Sequence, residues 1–308
     1  MDERAQRVRN AIRSAEERAL SRHPLLRHQN GVGATWFLLA LAGMFALGAL
    51  YATGRIPWYA CLLGNAFFAS ILHEIEHDLI HFLYFRGKPL VHNAMMLLVW
   101  VFRGNVVHGW YRRKIHFHHH RASGSNTDVE ERILGLGTPW GIRRAAVTLD
   151  GALAFLLNAR RLSREIPGFR RRDLALASIP VYPVFALVAL GFVLRFPHPA
   201  IDVLAVGWVL PNTLRQASLT LISSNVHYYG DVSSLDEETQ VLRPFYLWPL
   251  QLFCFNFGST HALHHYVVEQ PFYIRQLIAH DVFPVLRANG VRFDDTATFS
   301  RANHFRAA

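Results

Sequence analysis

The sequence predicts an all-α protein: a multi-pass membrane bundle of about four transmembrane helices, closed at one end by a histidine-rich cap. Three observations lead there. The 308 residues are 51% apolar and only 18% charged, below the roughly one quarter that soluble domains carry. The apolar residues come in long uncharged runs, the pattern of membrane helices rather than of alternating strands. The 18 histidines gather in a few tight clusters beside the ends of those runs. Disorder and collagen-like repeats are excluded by this composition. Two cysteines, Cys61 and Cys254, cannot make a disulfide framework or a four-thiolate metal site. The formal charge of +10 would suit nucleic acid only if the basic residues formed one soluble face. They alternate with apolar runs instead, which points to a membrane surface.

Residues 1–27 are polar and rich in arginine (Arg4, Arg7, Arg9, Arg13, Arg18, Arg22, Arg27). Their apolar residues recur at rough helical spacing, predicting a surface helix that ends near Pro24. We read 1–30 as a basic cytoplasmic N-terminal helix and 31–308 as a single membrane domain. Residues 35–52 hold no charge, and about 18 such residues suffice for a span. A cleaved signal fits less well, because the run exceeds a usual signal core and its basic leader is long. The linker 53–57 is so short that the next apolar run, 58–72, must return as an antiparallel hairpin. No Pro or Gly separates that run from 73–86, which predicts one long helix emerging from the bilayer.

The next hundred residues are basic and broken, with Arg112, Arg113, Lys114, Arg143, Arg144, Arg160 and Arg161. Two apolar pieces there, 94–102 and 152–157, are too short to span and are expected at the interface. A third span is expected at 174–193, bent at Pro180 and Pro183. After the turn 195–199, a fourth runs from Ile201 towards Ile222. Arg215 lies roughly 21 Å from its start, so it should sit near the exit or face protein. The run 245–257 contains Pro249, Gln251 and Asn256 and reads as interfacial. Four spans put both termini and every histidine cluster on one side. Most arginines lie there too, so that side is cytoplasmic by the positive-inside tendency.

Four histidine groups carry the chemistry. His73, His77 and His81, with Glu74, Glu76 and Asp78 among them, sit at i, i+4 and i+8; a helix stacks them along one face about 6 Å apart. His116, His119 and His120 form His-x-x-His-His, with His118 as an extra member, and His261, His264 and His265 repeat that spacing. Between these two lie Asn225 and His227, just past the fourth apolar helix. Imidazole suits Fe, Zn, Cu and Ni alike, so number is the better guide. Nine imidazoles exceed one tetrahedral zinc and suffice for two metals that each keep an open position. Such a site at the edge of a membrane bundle points to activation of dioxygen. The isolated His23, His28, His92, His108, His198, His280 and His304 read as solvated or satisfied side chains.

These clusters resemble the three histidine boxes of the integral-membrane fatty acid desaturase and hydroxylase superfamily, in HDLIH (77–81), HFHHH (116–120) and HALHH (261–265). Two apolar runs precede the first box and two separate the second from the third, so the resemblance covers roughly 35–275. It implies a non-haem di-iron centre of two Fe ions, oxidised by dioxygen and re-reduced by an external electron donor. The ligands it implies are His77 and His81, then His116, His119 and His120, then His227, then His261, His264 and His265. Asn225 would assist through a water. HEIEH (73–77) has the same box spacing, so His73 could replace or join a ligand; His118 is a further possible extra. Glu74, Asp78 and Asp128 are expected to accept hydrogen bonds from ligand N–H groups.

The implied reaction is desaturation of an aliphatic, fatty acyl chain using dioxygen and two electrons; hydroxylation of an alkyl or acyl chain is the alternative. Trp110, Tyr228 and Tyr229 are candidate walls of a substrate tunnel. The basic residues Arg112, Arg113, Lys114, Arg143 and Arg144 could dock an acidic ferredoxin or cytochrome, or simply meet anionic lipid. No Gly-x-Gly-x-x-Gly fingerprint is present, so the reductase should be a separate protein. Two other classes compete. HEIEH satisfies the His-Glu-x-x-His of a membrane zinc metalloprotease, with His73 and His77 on zinc and Glu74 as base; a metal or haem carrier would use axial histidines. Each leaves most of the clusters without a task.

Overall fold

The computed structural model describes residues 3–104, 106–135, 141–165, 170, 172, 182–194, 198–300 and 303–306. It is almost entirely helical, as the uncharged runs require. Eight principal helices position the site: α1 (Glu3–Arg22), α2 (Gln29–Ala52), α3 (Trp58–Ile80), α4 (Pro89–Arg103), α5 (Gly109–Ala122), α6 (Leu210–Val226), α7 (Phe257–Tyr266) and α8 (Phe272–Ala288). The described strand residues are two parallel pairs, Gln240–Val241 against Arg292–Phe293.

α1 ends at Arg22, one residue before the turn begun by Pro24. Its stripe of Ala5, Val8, Ile12, Ala15 and Ala19 is buried against α8. Val8 and Ile12 are fully buried, each worth about 1.5–3 kcal/mol. α2 and α3 form the expected hairpin. α2 is the one described helix long and apolar enough to cross a membrane. Gly33 on α2 matters because a side chain there would collide with the Tyr84 ring. That close approach lets the Tyr84 hydroxyl reach Asp78 on α3.

α3 carries the chain from Trp58 through His73 and His77 without interruption. It stops at Ile80, with His81 as its cap, instead of running to residue 86. Phe82 and Phe85 have positive φ, and the Leu83 amide folds back onto the Asp78 carbonyl, so the chain turns sharply. Arg113 caps the helix end by donating to the carbonyls of Leu79 and Ile80, at 2.8 and 2.9 Å. A cation at a helix C-terminus satisfies both its orphan carbonyls and its dipole.

The apolar piece 94–102 lies within α4, whose Leu90, Leu97, Leu98 and Val101 face outward; 152–157 lies in the helix Gly151–Leu157. Of the expected third span, 174–181 lie outside the described residues, including the bend at Pro180. The remainder forms Tyr182–Val193. The fourth apolar run is helical from Pro199 to Val226, with one π-helical turn at Ala205–Val209. Arg215 faces protein: it is fully buried and donates to Gln216 and the Arg103 carbonyl. Phe245, Tyr246 and Trp248 are exposed on the short helices of the 245–257 run.

Candidate metal centre

Helical spacing explains why His-x-x-His-His can serve two centres at once. Around a helix, positions i and i+4 lie about 40° apart, whereas i+3 and i+4 lie about 100° apart. On α5, His116 and His120 therefore point one way and His119 another. On α7 the sharing is reversed, with His261 and His265 paired and His264 diverging. α3 adds His77 and, at its cap, His81. His227, in extended conformation just past α6, completes the set.

The result is two compact groups. In the first, the ligand atoms of His77, His81, His116 and His264 lie within 4.8 Å of one another. His120 joins it, with Nε2 3.1 Å from that of His116 and 3.0 Å from that of His264. In the second, the atoms of His119, His227, His261 and His265 also lie within 4.8 Å of one another. There the Nε2 atoms of His261 and His227 are 3.0 Å apart, and those of His261 and His265 3.1 Å. The groups adjoin, with the rings of His119 and His120 5.5 Å apart.

Nε2 lone pairs that face one another at this distance repel unless a proton or a metal cation lies between them. Two imidazoles binding one metal at about 2.1 Å and at right angles have their donor atoms about 3.0 Å apart. Among the described residues, both ring nitrogens of His77 and the Nε2 of His119 are buried without a hydrogen-bond partner, a costly arrangement unless something binds there. The donor set therefore fits two metal ions. Burial drives the imidazoles of His116, His264 and His265 well below their ordinary pKa, and neighbouring imidazoles add to the effect. Neutral rings are the form that binds metal. His119 is the exception. Burial pushes it down, but Asp128, Glu130 and Glu131 outweigh that and raise it to about 10. The anionic surround that holds a proton there would hold a metal cation equally.

Carboxylates fix the rings. Asp128 lies 2.9 Å from His119 Nδ1, Glu130 2.8 Å from His116 Nδ1, and Glu238 3.0 Å from His265 Nδ1. The Nδ1 of His227 meets the Ser223 carbonyl at 2.9 Å and Glu131 at 3.4 Å. An Nδ1–H given to an acceptor leaves Nε2 as the donor to metal and raises its basicity. Of these acids, sequence reasoning singles out only Asp128. Glu130 and Glu131 follow it in an acidic run within a basic stretch, a signal that was available; Glu238, far along the chain, gave none.

The other candidates go elsewhere. Glu74 pairs with Arg275 at 3.0 Å. Asp78 accepts from the Tyr84 hydroxyl and the Phe272 amide and pairs with Arg275; it stands 3.9 Å from His77 Nδ1. These two acids hold Arg275, whose Nη1 is 3.4 Å from His264 Nδ1, rather than a ligand N–H. His118 turns away to the Thr127 carbonyl. The amide nitrogen of Asn225 donates to the Leu221 carbonyl, and its Oδ1 is buried without a partner. His73 belongs to neither group. Its ring packs beside Phe257, 6.5 Å from that of His77, and both its nitrogens are unpartnered.

Two cavities bear on substrate. One of about 30 Å³ touches both groups through His77, His116, His119 and His261, with His73 and Leu219 among its other walls. A larger one, about 560 Å³, is apolar and lined by residues including Met44, Phe45, Asn65, Phe102 and Trp208. Trp110, Tyr228 and Tyr229 line neither: Trp110 bonds Asn93 and Tyr228 bonds Asp295. The expected basic docking patch is also largely spent internally. Arg112 pairs with Glu76, Arg113 caps α3, and Arg144 is buried.

A family model described as fatty acid desaturase matches residues 55–297. The chain belongs to the fatty acid desaturase family. No curated protein and no solved structure matches it. Membership makes this desaturase-family protein an oxidoreductase of the desaturase and hydroxylase type, acting on a lipid or acyl substrate with a metal cofactor. All nine imidazoles of the two groups fall inside the matched region.

Proposed function

We propose that the chain is a membrane di-iron enzyme that uses dioxygen and two electrons to desaturate an aliphatic acyl chain. The observation that carries this reading is the meeting of nine imidazoles from four segments in two adjoining groups, with Nε2 atoms about 3 Å apart. His77, His81, His116, His120 and His264 would hold one iron, and His119, His227, His261 and His265 the other. When bound, the iron pair supplies dioxygen activation, the oxidising power that an unactivated C–H bond requires and that acid–base groups lack. The chain's own residues do the rest. Asp128, Glu130 and Glu238 fix the ligand tautomers, and Leu219 and Phe257 keep the small cavity dry on its apolar side. The larger cavity suits an alkyl tail; Asn65 on its wall precedes His77 by twelve residues of α3, about 18 Å.

The membrane setting is part of the proposal. Four spans, α2, the first part of α3, the 174–193 run and the helix from Pro199, are supported by outward Leu38, Leu39, Leu63, Leu187, Leu190 and Leu210. The excess of arginine on the side of the histidines supports a cytoplasmic active site and termini, with 31–308 as one domain. A separate ferredoxin or cytochrome would deliver the electrons. Against a zinc protease stand the 6.5 Å between the His73 and His77 rings and the commitment of Glu74 to Arg275.

Expression in a host lacking unsaturated lipids, followed by mass spectrometry of its acyl chains, tests the reaction. A new double bond is expected; an added oxygen would make the enzyme a hydroxylase of the same superfamily. About two irons per chain are expected, and stoichiometric zinc with intact activity would overturn the di-iron reading.

A further inference from the structure

The stretch from His227 to Glu238 serves the second imidazole group from both its ends. His227 is one of the four imidazoles, and Glu238 holds His265 at 3.0 Å. Apart from the single turn Leu235–Glu238, this stretch has no helix to hold it. Its ends are tied to each other by the Tyr228 amide on the Glu238 carbonyl at 2.9 Å, its Gly230 amide bonds the Gly124 carbonyl at 2.8 Å, and the C-terminal region adds a further hold. Asn303 is fully buried, in the left-handed conformation at φ 59°. Its side-chain amide donates to the carbonyls of both Ser224 and His227, each at 3.1 Å. Its own carbonyl accepts from the Tyr229 amide. Three bonds from one residue thus bracket His227. The adjoining residues secure the clasp: Asp231 accepts the amides of Phe305 and Arg306, each at 2.6 Å, and the Arg306 guanidinium reaches Glu237 at 3.0 Å.

We propose that residues 303–306 form a clasp that sets the second metal site alone, with Asn303 as a positioning residue for His227. The inference rests on the two-metal reading. His227 is oriented through its Nδ1 contact with the Ser223 carbonyl, so its aim depends on the backbone of 223–227, which Asn303 pins on both sides. The first group takes every imidazole from α3, its cap, α5 and α7, and none lies in the clasped stretch. Asn303 also lies beyond residue 297, where the family match ends, so family membership alone gives no reason to expect it. Gln240 adds a second tie, donating to the Asn225 carbonyl and accepting from the Asp295 amide.

The test loads the full-length wild type and variants with ferrous iron, then measures iron released to a chelator over time. In Asn303→Ala, one iron per chain should leave at least about tenfold faster, the size expected when a group supporting a ligand is lost. The other iron should leave at the wild-type rate. Asn303→Gly, which retains the left-handed backbone but lacks the amide, should behave like Asn303→Ala. Arg306→Ala, a change at an exposed side chain that leaves folding intact, should give a smaller acceleration of that same iron. Asn289→Ala removes a buried amide that bonds Arg7 and the Val285 carbonyl, and controls for general loosening; it should release both irons as the wild type does. Retention of both irons at wild-type rates in Asn303→Ala, or equal acceleration of both, would overturn the clasp. A wild type that never binds two metals would instead overturn the two-metal reading, and this inference with it.

Discussion

His116 and His119 stand three residues apart on one helix, yet they enter sites of different construction. The first group draws its five imidazoles from α3, its cap, α5 and α7. Beside them stand Glu130 on His116, Asp78 at 3.9 Å from His77 Nδ1, and the cation Arg275 near His264, which Asp78 and Glu74 neutralise. The second group has four imidazoles and three carboxylates, Asp128, Glu131 and Glu238, and one of its imidazoles lies outside any helix. Rigid helices hold the first; charge and a clasped loop hold the second. An anionic surround binds a cation more tightly and favours its higher charge state, so the two metals should be inequivalent.

Removing a ligand breaks this comparison most severely. His264→Ala and His119→Ala should each abolish product formation. Metal analysis should then show one remaining metal per chain, from the second group in the former and the first in the latter. Next come the carboxylates. Asp128→Asn should weaken metal binding at the second group, and Glu130→Gln at the first, by roughly 10–100-fold, read by chelator competition. Stripping both metals leaves nine close-packed imidazoles without their cations. The melting temperature should fall by several degrees, since ligand at a hundred times its dissociation constant stabilises by about 2.7 kcal/mol per site. His73→Phe should retain two metals while altering turnover, because neither of its ring nitrogens joins a group; loss of one metal would make His73 a ligand. Least affected is His118→Ala, whose ring turns out to the Thr127 carbonyl. Its activity should stay within about twofold of wild type, as for most surface changes.

Much of the site could be read from spacing, because i, i+4 and i+3 positions on a helix translate directly into direction. That is why α5 and α7 could be recognised as paired suppliers of imidazole. Loops offer no such rule. The tie between Glu238 and His265, and that between Asn303 and His227, join residues 27 and 76 positions apart, and no local pattern marks either. Acidic neighbours misled for a related reason. Glu74 and Asp78 sit beside His73 and His77 in sequence, but their partner is Arg275, brought in on α8. Arg112, Arg113 and Arg144 read as surface charge and proved to be internal, since composition does not say which guanidiniums meet a carboxylate or a helix end.

By itself the sequence determined that the chain is helical, that its apolar runs are long and uncharged, and that histidines recur at intervals able to hold metal. Those properties follow from the chemistry and period of consecutive residues. Only the tertiary structure decided which imidazoles gather into one group, which acids meet their Nδ1 atoms, and that Asn303 near the C-terminus bonds the His227 carbonyl. Such choices depend on how separate helices pack and where their ends meet, and packing is a property of surfaces assembled from distant parts of the chain.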